Sequence, residues 1–132
     1  MKLIYPVIII PTEKNKYFVK IPDMDIATQG ESIEDAIYMA RDAISLMAVD
    51  MQEDGKELPK ASGISEVKSD EKGAIVTLVD ADIDAYKRML DKRSVRKNVT
   101  IPSWLNEAAE ARNINFSAAL QSALMEELQI TR

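Results

Sequence analysis

An alternating set of polar side chains in the last third of the chain could read DNA bases. Arg96, Asn98 and Thr100 alternate with other residues in the strand-like stretch Val95–Ile101. Because successive side chains of a strand point to opposite faces, these three would share one face. A two-stranded ribbon fits the major groove, where a guanidinium group pairs with guanine and a carboxamide pairs with adenine. The pattern therefore predicts a base-reading ribbon.

Two helices would have to hold this strand in place. The sequence predicts a first helix over Ser103–Arg112, directly after Pro102, and a second over Phe116–Leu128 with Asn115 as its N-cap. One strand and two short helices bury too little apolar surface to fold alone, and a lone strand leaves both of its edges unpaired. Antiparallel pairing with the same strand of a second chain would bury its apolar side chains. We therefore expect a homodimer or a higher oligomer.

Basic residues cluster where the predicted strand begins. Residues 87–97 carry six Lys or Arg against one Asp, a net +5, whereas residues 1–80 carry 9 basic and 15 acidic side chains, a net −6. A charge run is often a solvated linker, but here Arg93 and Lys97 are expected to contact DNA phosphates. Lys97 has the inward parity of the strand, so either the ribbon starts after it or its ammonium group reaches outward.

The first part of the chain predicts a small sheet. Residues 3–10 and 17–21 are apolar, β-branched runs separated by a polar turn, which is typical of a hairpin, and residues 26–29 supply a short third strand. Two further short strands are predicted at residues 64–67 and 74–79.

A long helix would cross this sheet. Ser32 and Asp35 resemble a capping box at its start, and Gly55 marks its end. Its apolar positions recur at helical spacing: Ile33, Ala36, Ile37, Ala40, Ile44, Met47 and Met51. A second helix over residues 81–93 is predicted to link this module to the C-terminal one.

Composition removes most catalytic chemistries. The 132 residues contain no Cys and no His, which excludes thiolate nucleophiles, disulfides, histidine bases and histidine-ligated metals. A Mg²⁺ site for two-metal hydrolysis would need carboxylates, for which Asp23, Asp25, Asp35 and Asp42 are the candidates. Aspartates are common in turns and in first helical turns for backbone reasons, and this structural interpretation is favoured. We predict no enzyme activity, no catalytic residues, and neither a metal nor another cofactor.

The sequence also predicts the cellular location. No apolar run approaches the roughly 20 residues that cross a bilayer. The N-terminal stretch is interrupted by Pro6 and Pro11 and lacks a small-residue cleavage site. We therefore expect a cytoplasmic protein without a membrane partner.

Residues Ser94–Pro102, together with Asn115-Phe116-Ser117, closely resemble a ribbon-helix-helix repressor domain. The resemblance implies that the outward strand positions, here Arg96, Asn98 and Thr100, read bases. It also implies that the N-terminal amides of the second helix, at Phe116 and Ser117 with Asn115 as cap, clamp a phosphate.

Residues 3–62 resemble the HicB family of antitoxins. The likeness is carried, in order, by residues 5–10, 17–23, 28–36 and 58–59. It implies a partial RNase H-like fold that binds and blocks a small basic mRNA endoribonuclease of the HicA type. The net −6 of the first 80 residues suits such a partner electrostatically.

These inferences predict an α+β chain with an N-terminal partial RNase H-like antiparallel sheet, one long helix and a C-terminal ribbon-helix-helix dimerisation domain. The predicted division is 1–80 for toxin binding, 81–93 for a linker helix and 94–132 for DNA binding. The predicted function is an antitoxin that sterically neutralises its toxin and represses its own operon by binding operator DNA as a dimer. The alternative is a ribbon-helix-helix regulator whose first domain senses a ligand or mediates oligomerisation, without a toxin partner.

Overall fold

The computed structural model describes residues 1–130. The chain forms two compact units, with the boundary between Arg93 and Ser94. The first unit is a four-stranded antiparallel sheet in the order β3-β2-β1-β4 with two helices. Its elements are β1 (Lys2–Pro11), β2 (Tyr17–Ile21), β3 (Ile26–Gly30), α1 (Ile33–Glu53), β4 (Ile75–Asp82) and α2 (Ile83–Leu90). The second unit contains α3 (Ser103–Ala111) and α4 (Phe116–Glu127). The mixed α+β class is confirmed, as are the first three strands and the long helix.

Strand β1 lies at the centre of the sheet. It pairs with β2 through residues 8–11 and with β4 through residues 2–9. Every side chain from Tyr5 to Ile10 is buried, so β1 reads in the sequence as a continuous apolar run rather than as an alternating one. Val7 and Ile9 join the main core together with Val19 and Ile21 of β2.

Helix α1 packs across this core through small side chains. The Ser32 hydroxyl accepts a hydrogen bond from the Asp35 amide at 3.0 Å, and the Asp35 carboxylate accepts one from the Glu31 amide at 2.8 Å. These bonds confirm the predicted helix start. The residues that are fully buried recur every four positions: Ala36, Ala40, Ile44 and Ala48.

Two of the predicted inward residues of α1 are less buried than expected. Ile33 is 42% exposed, and Met51 is half-buried. Both lie in the end turns of the 21-residue helix.

The predicted strand at 64–67 is wrong. Ile64–Glu66 is instead a single 3₁₀ turn, and the Gly63 amide donates locally to the Glu66 carboxylate at 3.3 Å. The loop around it is tied down by side chains, because Ser62 donates to Asp23 and the Tyr5 hydroxyl donates to the Pro59 carbonyl at 2.6 Å. The short segment Ile64-Ser65-Glu66-Val67 is held by these tertiary bonds and does not need a ladder partner.

The last strand and the second helix are continuous with each other. Strand β4 extends to Asp82, beyond the predicted end at residue 79, and the Asp82 carboxylate caps α2 by accepting from the Ala85 amide at 3.1 Å. Ile83 is fully buried, and Tyr86 packs against the core. Helix α2 therefore packs against the core of the first unit.

The second unit buries none of its described side chains. Every residue from 94 to 130 is exposed or half-exposed, including Val95 at 81% and Val99 at 66%. Residues 95–101 form no strand within the single chain, because a strand requires a neighbour with which to exchange hydrogen bonds.

Candidate nucleic-acid interface

The segment before α3 alternates as the sequence predicts. Lys97, Val99 and Ile101 line a groove of about 660 Å³ against α3 and α4. The intervening residues Arg96, Asn98 and Thr100 are exposed and do not line this groove. The guanidinium, carboxamide and hydroxyl groups of these three residues are therefore accessible to solvent.

The groove behind this segment is mainly apolar, with Lys97, Asn106 and Ser117 as its polar members. Most of its lining side chains are apolar: Val99, Ile101, Leu105, Ala109, Ile114, Phe116, Ala119, Leu120 and Ala123. Leu105, Ile114 and Phe116 remain 41–44% exposed. An open apolar surface of this size in so small a unit is typical of an interface.

The N-terminus of α4 is built to present free amides. The Asn115 carboxamide oxygen accepts a hydrogen bond from the Ala118 amide at 3.0 Å, which confirms Asn115 as the N-cap. Since the first amides of a helix have no intrahelical partner, those of Phe116 and Ser117 point along the helix axis. The positive end of the helix dipole adds to their attraction for an anion. Asn113 makes the turn before this helix with a left-handed backbone, at φ 54°.

The two basic residues that were predicted to contact phosphates differ in their surroundings. Arg93 is engaged by Asp91, with Nε–Oδ1 at 3.0 Å and Nη2–Oδ2 at 3.3 Å. The hydrogen bonds from Arg93 lower the pKa of the Asp91 carboxyl below its usual range. Lys97 lines the groove together with Val99 and Ile101. Arg93 would have to leave Asp91 in order to bind a phosphate, whereas its exposed position offers no other obstacle.

The four carboxylates considered for Mg²⁺ have separate roles. Asp23 accepts both the amide and the hydroxyl of Ser62. Asp35 accepts a hydrogen bond from the Glu31 amide at the start of α1. Asp42 faces Tyr86. Asp25 has a left-handed backbone, at φ 53°. Within residues 1–130, no three acidic side chains lie close enough together to hold a metal ion.

The first unit carries further surface features that the sequence reasoning did not assign. A groove of about 400 Å³ between α1 and α2 is lined by Tyr38, Arg41, Asp42, Tyr86 and Met89, among others. Tyr38 and Met89 are 62% and 61% exposed, although Met89 has the spacing of a helix-face residue. Periodicity shows which face of a helix is apolar, but it does not show where the neighbouring element ends and leaves that face exposed.

The charges around this groove are mostly acidic. Arg41 is held by Asp80, through its carboxylate at 3.1 Å and its carbonyl at 2.9 Å, which leaves Asp42 and Asp82 in the lining. Burial raises the pKa of the Tyr86 hydroxyl, and the Asp42 carboxylate adds to this effect.

In the described chain, residues 1–130, no helix is both long and apolar enough to span a bilayer.

Comparison with known proteins places these features in context. Residues 5–126 match a family described as the HicB-like antitoxin of bacterial toxin–antitoxin systems. A 14.9 kDa protein from the rep-hol intergenic region of Haemophilus phage HP1 is 32% identical over 106 residues, which cover 78% of this chain and 76% of the phage protein.

Two solved structures resemble the whole chain. One belongs to a toxin–antitoxin complex from Streptococcus pneumoniae, with a TM-score of 0.60 and 25% identity over 96% of this chain and 99% of that one. The other is the antitoxin HicB of Burkholderia pseudomallei, with a TM-score of 0.55 and 27% identity over 96% of this chain and 97% of that one.

Proposed function

The chain belongs to the HicB-like antitoxin family of bacterial toxin–antitoxin systems, and from this premise we propose a two-part activity. The first unit binds and sterically blocks a small basic mRNA endoribonuclease toxin of the HicA type. The second unit dimerises as a ribbon-helix-helix domain and represses the operon by binding its operator DNA. Neither part is catalytic, and both act in the bacterial cytoplasm, where the operator and the messenger are found.

The DNA-binding part is supported chiefly by the alternation in the segment before α3. Val99 and Ile101 line the groove against the helices, while Arg96, Asn98 and Thr100 are exposed and lie outside its lining. Arginine and asparagine are the side chains that pair bidentately with guanine and adenine, and threonine can contact either base type. The free amides of Phe116 and Ser117 would fix the protein on a phosphate.

The dimer is supported by what the second unit leaves uncovered. No residue between 94 and 130 is buried, and a unit of this size cannot offset its loss of conformational entropy without a core. Pairing of residues 95–101 with their copies would supply the missing strand neighbour and close the groove over Val99 and Ile101. The two base-reading faces would then lie side by side in one ribbon.

The toxin-binding part is supported by charge and by the relatives. Residues 1–80 carry a net −6, which favours a basic partner in encounter and in orientation. The similar Streptococcus pneumoniae chain was solved in a toxin–antitoxin complex. We propose that the first unit uses a surface of this sheet and its helices to cover the toxin.

The experiment that tests the DNA-binding part is fluorescence anisotropy with two duplexes. One carries the sequence just upstream of the gene, the other is scrambled, and both are titrated across a salt series. We expect tighter, salt-dependent binding to the native duplex and a loss of that preference in Asn98→Ala. Gln121→Ala, which removes an exposed amide from α4, is the matched control and should keep it.

The second candidate function is a regulator without a toxin. The groove between α1 and α2, at about 400 Å³, has room for a small ligand and is the observation that favours it. A small basic reading frame beside the gene, whose product binds the purified chain, would decide for the antitoxin. Absence of such a frame, together with sequence-specific DNA binding, would decide for the regulator.

A further inference from the structure

We propose that the toxin docks on the open edge of β3, where an extended basic strand of the toxin extends the sheet. This inference rests on the proposed function and names the surface that carries it. It joins three features of the first unit, namely a free strand edge, grooves on both of its faces, and carboxylates at both of its ends.

Strand β3 is an edge strand without the usual protection. It pairs with β2 on one side, and within residues 1–130 its backbone makes no hydrogen bond beyond that pairing from Ile26 to Gln29. The stretch Ile26–Gly30 contains no charge and no proline, which are the devices that normally keep edges from pairing. At the other edge of the sheet, Arg41 donates to the Asp80 carbonyl of β4.

Grooves flank this edge on both faces of the sheet, and the one on the helix side is mainly apolar. On the helix side, a groove of about 410 Å³ is lined by Ile26, Leu46 and Met47, and Leu46 is 55% exposed. On the opposite side, a groove of about 450 Å³ is lined by Phe18 and Ala27 together with the charged Lys20 and Asp25, and Phe18 is 39% exposed. A strand added to β3 would send alternate side chains into the two grooves, which is how strand addition obtains specificity.

The charges at the edge select a basic strand. Asp25 precedes β3 and Glu31 follows it, and Asp50 stands in the helix-side groove. Lys16 pairs with Glu31 at 3.5 Å, and Lys20 lies 5.9 Å from the centre of the Phe18 ring. Asp25 and Asp50 form no ion pair within residues 1–130, so they remain available to a basic strand.

A second copy of this chain fits the edge poorly. Antiparallel pairing of β3 with itself about Thr28 would place Asp25 opposite Glu31 of the second copy at both ends of the pair. Like charges directly opposite each other destabilise a strand pair. Lysine or arginine at the same positions of a foreign strand would be attracted instead.

The test uses the full chain and the purified product of the small basic reading frame beside its gene. Ala27 is exposed on the edge strand, so Ala27→Lys should leave the fold intact, which circular dichroism checks. We expect Ala27→Lys to weaken binding by about 50-fold, as loss of a few edge hydrogen bonds and a repelled cation would require. Ala27→Glu should lose less, because its charge attracts a basic strand.

Leu78→Lys is the matched control at the other edge of the sheet, where Leu78 of β4 is 50% exposed. It should bind like the wild-type chain. Hydrogen exchange should show new protection of the amides in residues 26–30 when the toxin is bound.

Each other outcome has a distinct meaning. Equal affinity of the wild-type chain and Ala27→Lys overturns the edge proposal and leaves the proposed function standing. Failure of the wild-type chain to bind overturns the proposed function itself. Protection of residues 26–30 that grows with the concentration of the free chain would show self-pairing and would also overturn the edge proposal.

Discussion

Ser62 donates both its amide, at 3.0 Å, and its hydroxyl, at 2.5 Å, to the carboxylate of Asp23, although 39 residues separate the two in the chain. This pair fastens the long loop after α1 to the turn between β2 and β3. Asp23, which the sequence suggested as a possible metal ligand, therefore holds the loop through hydrogen bonds.

Removal of the hydrogen bonds between Asp23 and Ser62 should loosen the loop and destabilise the first unit. We expect Asp23→Ala to lower the free energy of unfolding by about 1–3 kcal/mol, since it leaves the Ser62 donors without their charged acceptor. Urea unfolding followed by circular dichroism measures this loss. Ser65→Ala, at an exposed residue of the same loop, should change little, and an equal loss in both variants would contradict the role of Asp23.

Gly30 permits the close contact between β3 and α1. A Cβ atom at this position would lie 2.5 Å from the Ala36 amide nitrogen, and backbone atoms cannot move aside as a flexible side chain can. Gly30→Ala should therefore cost about 2–3 kcal/mol or prevent folding. Gly63→Ala is the matched control, because its added Cβ would meet the end of the Glu66 side chain. Thermal unfolding of the two variants compares these costs.

Two tyrosines should make the stability of the first unit fall at alkaline pH. Burial raises the pKa of Tyr5 and of Tyr86 above the ordinary 10.0, with further contributions from Asp23 and Asp42 respectively. The unfolded chain therefore ionises first, and this part of the stability is present below pH 10 and is lost as the pH rises above it.

Urea unfolding at pH 8, 10 and 11 measures this loss. Tyr86→Phe should show a shallower decline than the wild-type chain, whereas Tyr38→Phe, at a 62% exposed residue, should follow the wild-type curve. Identical declines in all three proteins would show that Tyr86 does not contribute.

The second unit should depend on its dimer. Leu120 lines the apolar groove beside Val99 and Ile101, so Leu120→Asp places a charge in the surface that a second copy would cover. We expect sedimentation to show a shift from dimer to monomer at micromolar concentration. Gln121→Asp, one residue further along the helix and outside the groove lining, should remain dimeric. A wild-type chain that sediments as a monomer would contradict the ribbon.

The two activities should separate by mutation. Arg96 is exposed in the second unit, so Arg96→Ala should lose at least about tenfold in operator affinity, as expected for one bidentate base contact. It should still inhibit the toxin in a ribonuclease assay. Joint loss of operator binding and toxin inhibition in a folded protein would show that the two units do not act independently.

Much of this protein is determined by its sequence alone. Local chemistry fixes the start of α1 at Ser32 and that of α4 at Asn115, because a capping oxygen needs an amide two or three residues further along the chain. The continuous apolar run of β1 and the four-residue spacing of Ala36, Ala40 and Ile44 likewise encode burial directly. The absence of Cys and His from the chain determines the chemistry that it lacks.

Tertiary structure alone decided the remaining features, since they depend on contacts distant in the chain. Ile64–Glu66 became a 3₁₀ turn in a loop that Asp23 and Tyr5 hold from elsewhere in the first unit. The exposed edge of β3 and its flanking grooves follow from strand order, which no local pattern contains. Residues 95–101 carry the alternation of a strand without being one in the single chain, because a strand is completed by the hydrogen bonds of its neighbour.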